Sequence, residues 1–129
     1  MKFIFCADDE MGFSFNGRRQ SRDEGLCRFL CEVTGKLYYL PYSAPLFRNS
    51  PAAVLWQGDS FPEDGWLFLE EPDRIPPEKA IDEWILCCWN RAYPHDAKIP
   101  VSPKNYRLLQ SWDLTGSSHP RITVHHYKK

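Results

Sequence analysis

No stretch of the 129-residue sequence approaches the ~18 to 20 uninterrupted apolar residues of a membrane helix, and the longest candidate, around residues 84–89, is far too short. A membrane is therefore not an expected partner. Charge of one sign is also lacking: 16 Lys plus Arg stand against 17 Asp plus Glu, a formal balance of -1. That removes the broad attraction behind most non-specific nucleic-acid binding, so nucleic acid is not an expected partner, while a local basic patch and a protein partner stay open. There is no Walker loop, no GxSxG, no HxHxDH and no CxxC or HxH spacing, which leaves P-loop, serine-hydrolase and metal-hydrolase labels without support. Residues 1–7 are followed at once by Asp8, Asp9 and Glu10 and lack the pattern of a secretory signal. No repeat or low-complexity segment interrupts the chain.

What is present suits one α/β domain over residues 1–129. The length is that of a single domain, 43% of the residues are hydrophobic and 15% aromatic, and a chain of this size folds without a disulfide or metal staple. Five cysteines, Cys6, Cys27, Cys31, Cys87 and Cys88, form an odd set inside apolar runs. They read as buried free thiols of a reducing compartment, and a cytoplasmic location is expected. Cys27 and Cys31 lie one helical turn apart and read as packing.

KFIFCA, residues 2–7, predicts a buried first strand stopped by the acidic turn 8–10. Residues 11–20, broken by Gly12 and Gly17, predict a loop. Ser21 stands as an N-cap with Glu24 at capping-box spacing, and Leu26, Phe29, Leu30 and Val33 mark one buried face of a helix that Gly35 ends. A second strand follows over 37–40, stopped by Pro41, and Ser43 is placed to cap a short helical turn over 43–47. Short strands are predicted over 52–56 and 65–69, and only a short proline-initiated helix fits residues 72–80. IDEWILCCWN, residues 81–90, would be apolar all round as a helix, so a buried central strand is predicted instead. Residues 106–112 and 121–127 complete the pattern as strands.

Taken in order, these segments resemble the dihydrofolate reductase superfamily. FIFCADDEMGFSFNGRRQSRDEGLCRFLCEVTGKLYYLPYS is similar to that family's first strand, mobile active-site loop, first helix and second strand. EEPDRIPPEKAIDEWILCCWNRAYPHDAKIP resembles its run of glycine pair, short helix, "DELYLT"-type strand and turn leading to "DTFFP", and NYRLLQSWDLTGSSHPRITVHHYKK its closing hairpin. The resemblance implies a dihydrofolate reductase-like central mixed, mostly parallel sheet with an antiparallel C-terminal strand and few flanking helices. It also implies that the loop before the helix and the loop at Gly116 to His119 lie at a ligand mouth.

Where the family's glycine pair lets a dinucleotide pyrophosphate approach, this chain carries Glu70 and Glu71, whose charge and bulk oppose such binding. No cofactor is therefore expected. The middle segment is shorter than in ordinary members, and PYSAPLF replaces the basic turn after the second strand. The family's proton-donating acid lies early in the first helix, which makes Asp23 a candidate catalytic residue. Asn16, Arg18, Arg19 and Gln20, with Ser117 and Ser118, form a candidate anion-binding set, and His119 a candidate acid/base. Asp8 could hold the amidine edge of a heteroaromatic ring. No metal site is expected. The sequence thus predicts a small cytoplasmic binding domain without NADPH-dependent activity, taking an anionic or heteroaromatic small ligand. A reductase of a pterin-like substrate and an RNA-binding or phosphodiester-cleaving protein are the alternatives.

Overall fold

The computed structural model describes residues 1–129. Strand β1, Lys2–Ala7, has apolar residues on both sides of its pleat and no solvent-facing side: Phe3, Ile4 and Phe5 are all 0% exposed. Each such side chain contributes about 2 kcal/mol of burial. Successive residues of a strand point to opposite faces, so β1 feeds two cores at once. Ile4 packs on one face with Leu26, Leu30, Phe68, Ile85 and Val124, whereas Phe3 and Phe5 pack on the other with Leu67, Trp84 and Leu86.

Strand β2 spans Gly12–Phe15 and β3 Arg18–Arg19, and helix α1 spans Glu24–Thr34. Then follow β4 (Leu37–Tyr39), β5 (Val54–Leu55), β6 (Trp66–Phe68), β7 (Glu83–Cys88), β8 (Ala97–Lys98), β9 (Arg107–Leu114) and β10 (Ile122–Lys128). Seven strands form the main sheet in the order β5-β4-β6-β1-β7-β10-β9, and β3-β2-β8 form a small second sheet. Every neighbouring pair from β5 to β7 is parallel, and β10 is antiparallel to both β7 and β9, so it alone runs against the others. This is the mixed, mostly parallel sheet that the resemblance implies. The apolar run 84–87 lies at its centre, with Cys6 opposite Cys87 and Phe5 opposite Leu86.

Only one α-helix flanks the sheet. It packs with a 3-10 helix, Pro41–Phe47, over one face, where Phe47 stacks on Tyr39 and meets Phe68 edge-on. Short 3-10 turns at Pro72–Arg74 and Glu78–Ala80 and the loop side chains Phe61, Ile99 and Val101 cover the other.

Four local expectations shift. Residues 11–20 form the β2–β3 hairpin rather than a loop, because Asn16 and Gly17, at φ 53° and 71°, turn the chain through the left-handed region that Asn-Gly tolerates. The cap of α1 is Asp23 instead of Ser21, its carboxylate accepting from the Leu26 N–H at 2.9 Å. The buried face of α1 is Leu26, Cys27 and Leu30, while Val33 is exposed. Ser43 lies inside its 3-10 helix because Pro41, which needs no backbone donor partner, occupies the first position.

Candidate functional site

Parallel strands leave a crevice beyond their carboxyl ends where the connections diverge to opposite sides. Here β1 continues through α1 to β4 on one side, while β6 connects to β7 on the other side of β1. The residues just past β1, β6 and β7 are Asp8, Leu69–Glu70 and Trp89. The β2–β3 hairpin stands beside these strand ends.

Asp8 organises the turn after β1. Its Oδ1 accepts from the N–H groups of Glu10 and Gly12, each at 2.8 Å, and its Oδ2 from Gln20 Nε2 at 2.8 Å and His95 Nδ1 at 2.9 Å. Burial alone would raise its carboxyl, but the Glu10 N–H, the Gln20 amide, the Gly12 N–H and the neighbouring His95 hold it below the usual range. Every lone-pair direction is used, so Asp8 positions Gln20 and His95. Gly12 is required there, since a Cβ would overlap the His95 ring.

Arg19 and Glu70 form a two-pronged ion pair. Arg19 Nε reaches Glu70 Oε1 at 2.9 Å and Nη2 reaches Oε2 at 3.1 Å, with the side chains 20% and 8% exposed. Ser43 Oγ donates to Glu70 Oε2 at 2.6 Å, the Tyr42 carbonyl accepts from Arg19 Nη2 at 2.8 Å, and the guanidinium lies 4.4 Å over the Tyr42 ring. Burial would lower the Arg19 pKa, but Glu70 outweighs it and raises it. Glu71 takes no part in this pairing.

Between the hairpin and the segment after β7 lies a cavity of about 500 Å³, lined by Phe15, Asn16, Arg18, Arg19, Gln20, Tyr93 and Pro94. That volume is in the range of small-molecule sites. No carboxylate lines it. Arg18 makes no ion pair and no side-chain hydrogen bond, so its charge is free. Gln20 carries a buried acceptor, Oε1, with no donor in the chain.

Asp23 joins the start of α1 to the β9–β10 loop. Besides capping the helix, it accepts from the N–H groups of Ser117 and Ser118 at 2.9 and 2.8 Å, from both their hydroxyls at 3.2 Å, and from His119 Nδ1 at 3.1 Å. Asp23 and His119 are 2% and 4% exposed. Burial favours the neutral acid, but the Ser118, Ser117 and Leu26 N–H groups and His119 outweigh it and hold the carboxyl well below the ordinary range. On the far side of the imidazole, Nε2 lies 2.9 Å from Ser21 Oγ and 3.2 Å from Tyr93 Oη, and Trp89 stacks on the ring at 4.6 Å.

The structure thus brings Asn16, Arg18, Arg19 and Gln20 to one cavity, and Asp23, Ser117, Ser118 and His119 to a buried network beside it. Tyr93 belongs to both. Ser117 and Ser118 do not line the cavity, because both hydroxyls turn toward the start of α1. Phe15, Tyr93, Pro94 and His95 were not singled out from sequence. No spacing rule ties them to the hairpin, and only the pairing of β2 with β8 brings them there.

No protein-family model matches the sequence, and no curated protein matches it. Among solved structures, dihydrofolate reductase from Enterococcus faecalis, determined with NADP(H) and RAB-propyl, is similar at a TM-score of 0.60. The similarity covers 98% of this chain and 94% of that one, at 11% sequence identity. On the strength of the sheet order, the lone reversed strand and this match, the chain has a dihydrofolate reductase-like fold.

Proposed function

We propose that this chain is a single cytoplasmic domain that binds a small, planar, anionic heteroaromatic ligand in the cavity beside the β2–β3 hairpin. The observation that carries the reading is the unpaired Arg18 on a cavity of about 500 Å³ lined by no carboxylate. A guanidinium fork there suits a carboxylate or phosphate, and the rings of Phe15 and Tyr93 offer flat apolar contact. A ring N–H would meet the unpartnered Gln20 Oε1.

NADPH-dependent activity is not part of this reading. Glu70 is fixed by Arg19 and Ser43 at the end of β6, and freeing it for a pyrophosphate would strand a partly buried charge. Asp23 makes a poor proton donor, since its partners hold it ionised. Arg19 is neutralised by Glu70, which weakens a phosphodiester-cleaving reading that needs both arginines.

Calorimetric titration tests the proposal, with folate, nucleoside monophosphates and NADPH as parallel probes. Saturable heat with a planar anion, weakened at least tenfold in Arg18→Ala, is expected, with no heat from NADPH. Silence from every planar anion would refute the cavity reading. NADPH binding that Glu70→Gly leaves unimproved would refute the loss of the dinucleotide site.

A further inference from the structure

The network around His119 has an order of groups that packing alone does not require. Asp23 Oδ2, His119 Nδ1, His119 Nε2 and Ser21 Oγ follow one another at 3.1 Å across the first contact and 2.9 Å across the last. An ionised carboxylate can only accept, so Asp23 fixes the tautomer with the proton on Nδ1. Nε2 then presents its single lone pair to a hydroxyl. Ser21 is the nearer donor, and Tyr93 the farther at 3.2 Å. This is the arrangement in which a hydroxyl becomes a nucleophile: hydroxyl to base, base to an orienting carboxylate. Trp89 against the ring and the 4% exposure of His119 hold the imidazole in that pose.

The geometry points to Ser21 as an acyl-accepting nucleophile, with His119 as its base and Asp23 as the positioning residue, acting on a carboxylic ester. The substrate class rests on the proposed cavity, but the nucleophile does not. Arg19 and Gln20 line both the cavity and the small hollow that holds Ser21, so the two adjoin, and an ester held in the cavity would reach Ser21 from that side. The main-chain N–H groups of Ser21 and Arg22 donate to no acceptor in the chain, and they precede the positive end of α1. They are the available donors to a carbonyl oxygen that becomes an oxyanion.

In the reaction, Ser21 Oγ bonds to the carbonyl carbon while its proton passes to His119 Nε2. The carbon–oxygen bond to the alcohol then breaks, and the departing alkoxide takes that proton. Water repeats the sequence on the acyl-serine, giving the acid and restoring the Ser21 hydroxyl. Ester and water become acid and alcohol, and no other reactant is consumed.

The full chain is incubated with p-nitrophenyl acetate and, separately, with a fluorophosphonate, and adducts are mapped by peptide mass spectrometry. The expected result is one adduct on Ser21 in the folded protein, a burst of p-nitrophenolate close to one per chain, and no Ser21 adduct in urea. His119→Gln keeps an N–H for Asp23 and should slow acylation at least 100-fold with an unchanged circular dichroism spectrum. Ser21→Cys provides a second readout: its thiol should react with iodoacetamide faster than in the unfolded chain, and His119→Gln should remove the difference. Absence of a Ser21 adduct, equal labelling in urea, or indifference to His119→Gln would each overturn the proposal and leave the network a structural latch. Acetyl ester is small and neutral, so its result stands apart from the planar-anion titration.

Discussion

Replacing Asp23 by alanine removes the acceptor of six hydrogen bonds: from the N–H groups of Leu26, Ser117 and Ser118, the hydroxyls of Ser117 and Ser118, and His119 Nδ1. Loss of a helix cap costs about 1 kcal/mol. Each main-chain N–H of the loop left without an acceptor costs about 1 to 3 kcal/mol more, while the two hydroxyls can turn to water. The sum is about 3 to 7 kcal/mol, which spans the range for removing one member of a buried charged pair. Urea unfolding followed by tryptophan fluorescence measures it. With a slope of about 2 kcal/mol per molar, the midpoint should fall by about 1.5 to 3.5 M at unchanged slope. The loss depends on pH in a defined direction. The folded carboxyl titrates below its ordinary value of 3.8, so its stabilisation is complete above that value and disappears as pH falls through the folded one. The gap between wild type and variant should therefore be constant near neutrality and close below about pH 4. A loss of no more than about 1 kcal/mol at neutral pH would refute the reasoning, because the cap alone accounts for that much.

Gly116→Ala attacks the same junction from the loop side. A Cβ at that position overlaps the Asp23 carboxylate, which its partners hold in place, so a drop in melting temperature of several degrees is expected by calorimetry. Glu70→Gln leaves the Arg19 guanidinium without its countercharge. It should cost about 2 kcal/mol in urea unfolding, less than a fully buried pair because Arg19 keeps some contact with solvent.

Much of the architecture was legible in sequence for a simple reason. Residues 84–87 are apolar on both sides of a strand, and only a position with neighbours on both edges and both faces accommodates that. The β1 run KFIFCA carries the same signature, and the two are adjacent in the sheet. Shorter signals were misread where two local rules competed. Ser21 and Asp23 both qualify as helix caps, and the choice went to Asp23 because its carboxylate also meets donors 94 and 95 residues away. Asn16-Gly17 is a strong hairpin signal, yet the glycines around it suggested a loop, and the pairing with β8 that makes the hairpin a strand pair is not local. The site followed the same division. Arg18, Arg19 and Gln20 stand together in the chain and share one cavity. Glu70 was noted for its charge, but its partner, Arg19, lies 51 residues earlier. Tyr93 links cavity to network through one hydroxyl, and nothing in its own neighbourhood announces that.

The thiols give this fold a built-in clock. All five cysteines are unbridged, and they sit at graded depths: Cys27 inside α1 and Cys87 in the central strand are buried, while Cys6, Cys31 and Cys88 are half-buried. Burial pushes the Cys27 and Cys31 thiols up, and Cys88 up to about 11, so none of these three is a ready thiolate at neutral pH. Alkylation of the deep pair must wait for the chain to open. Cys27 becomes reachable when the helix lifts from the sheet, whereas Cys87 requires the separation of strands that hold the whole molecule. The ratio of their modification rates therefore reports, in the native protein and without any substitution, whether the helix side breathes independently of the sheet.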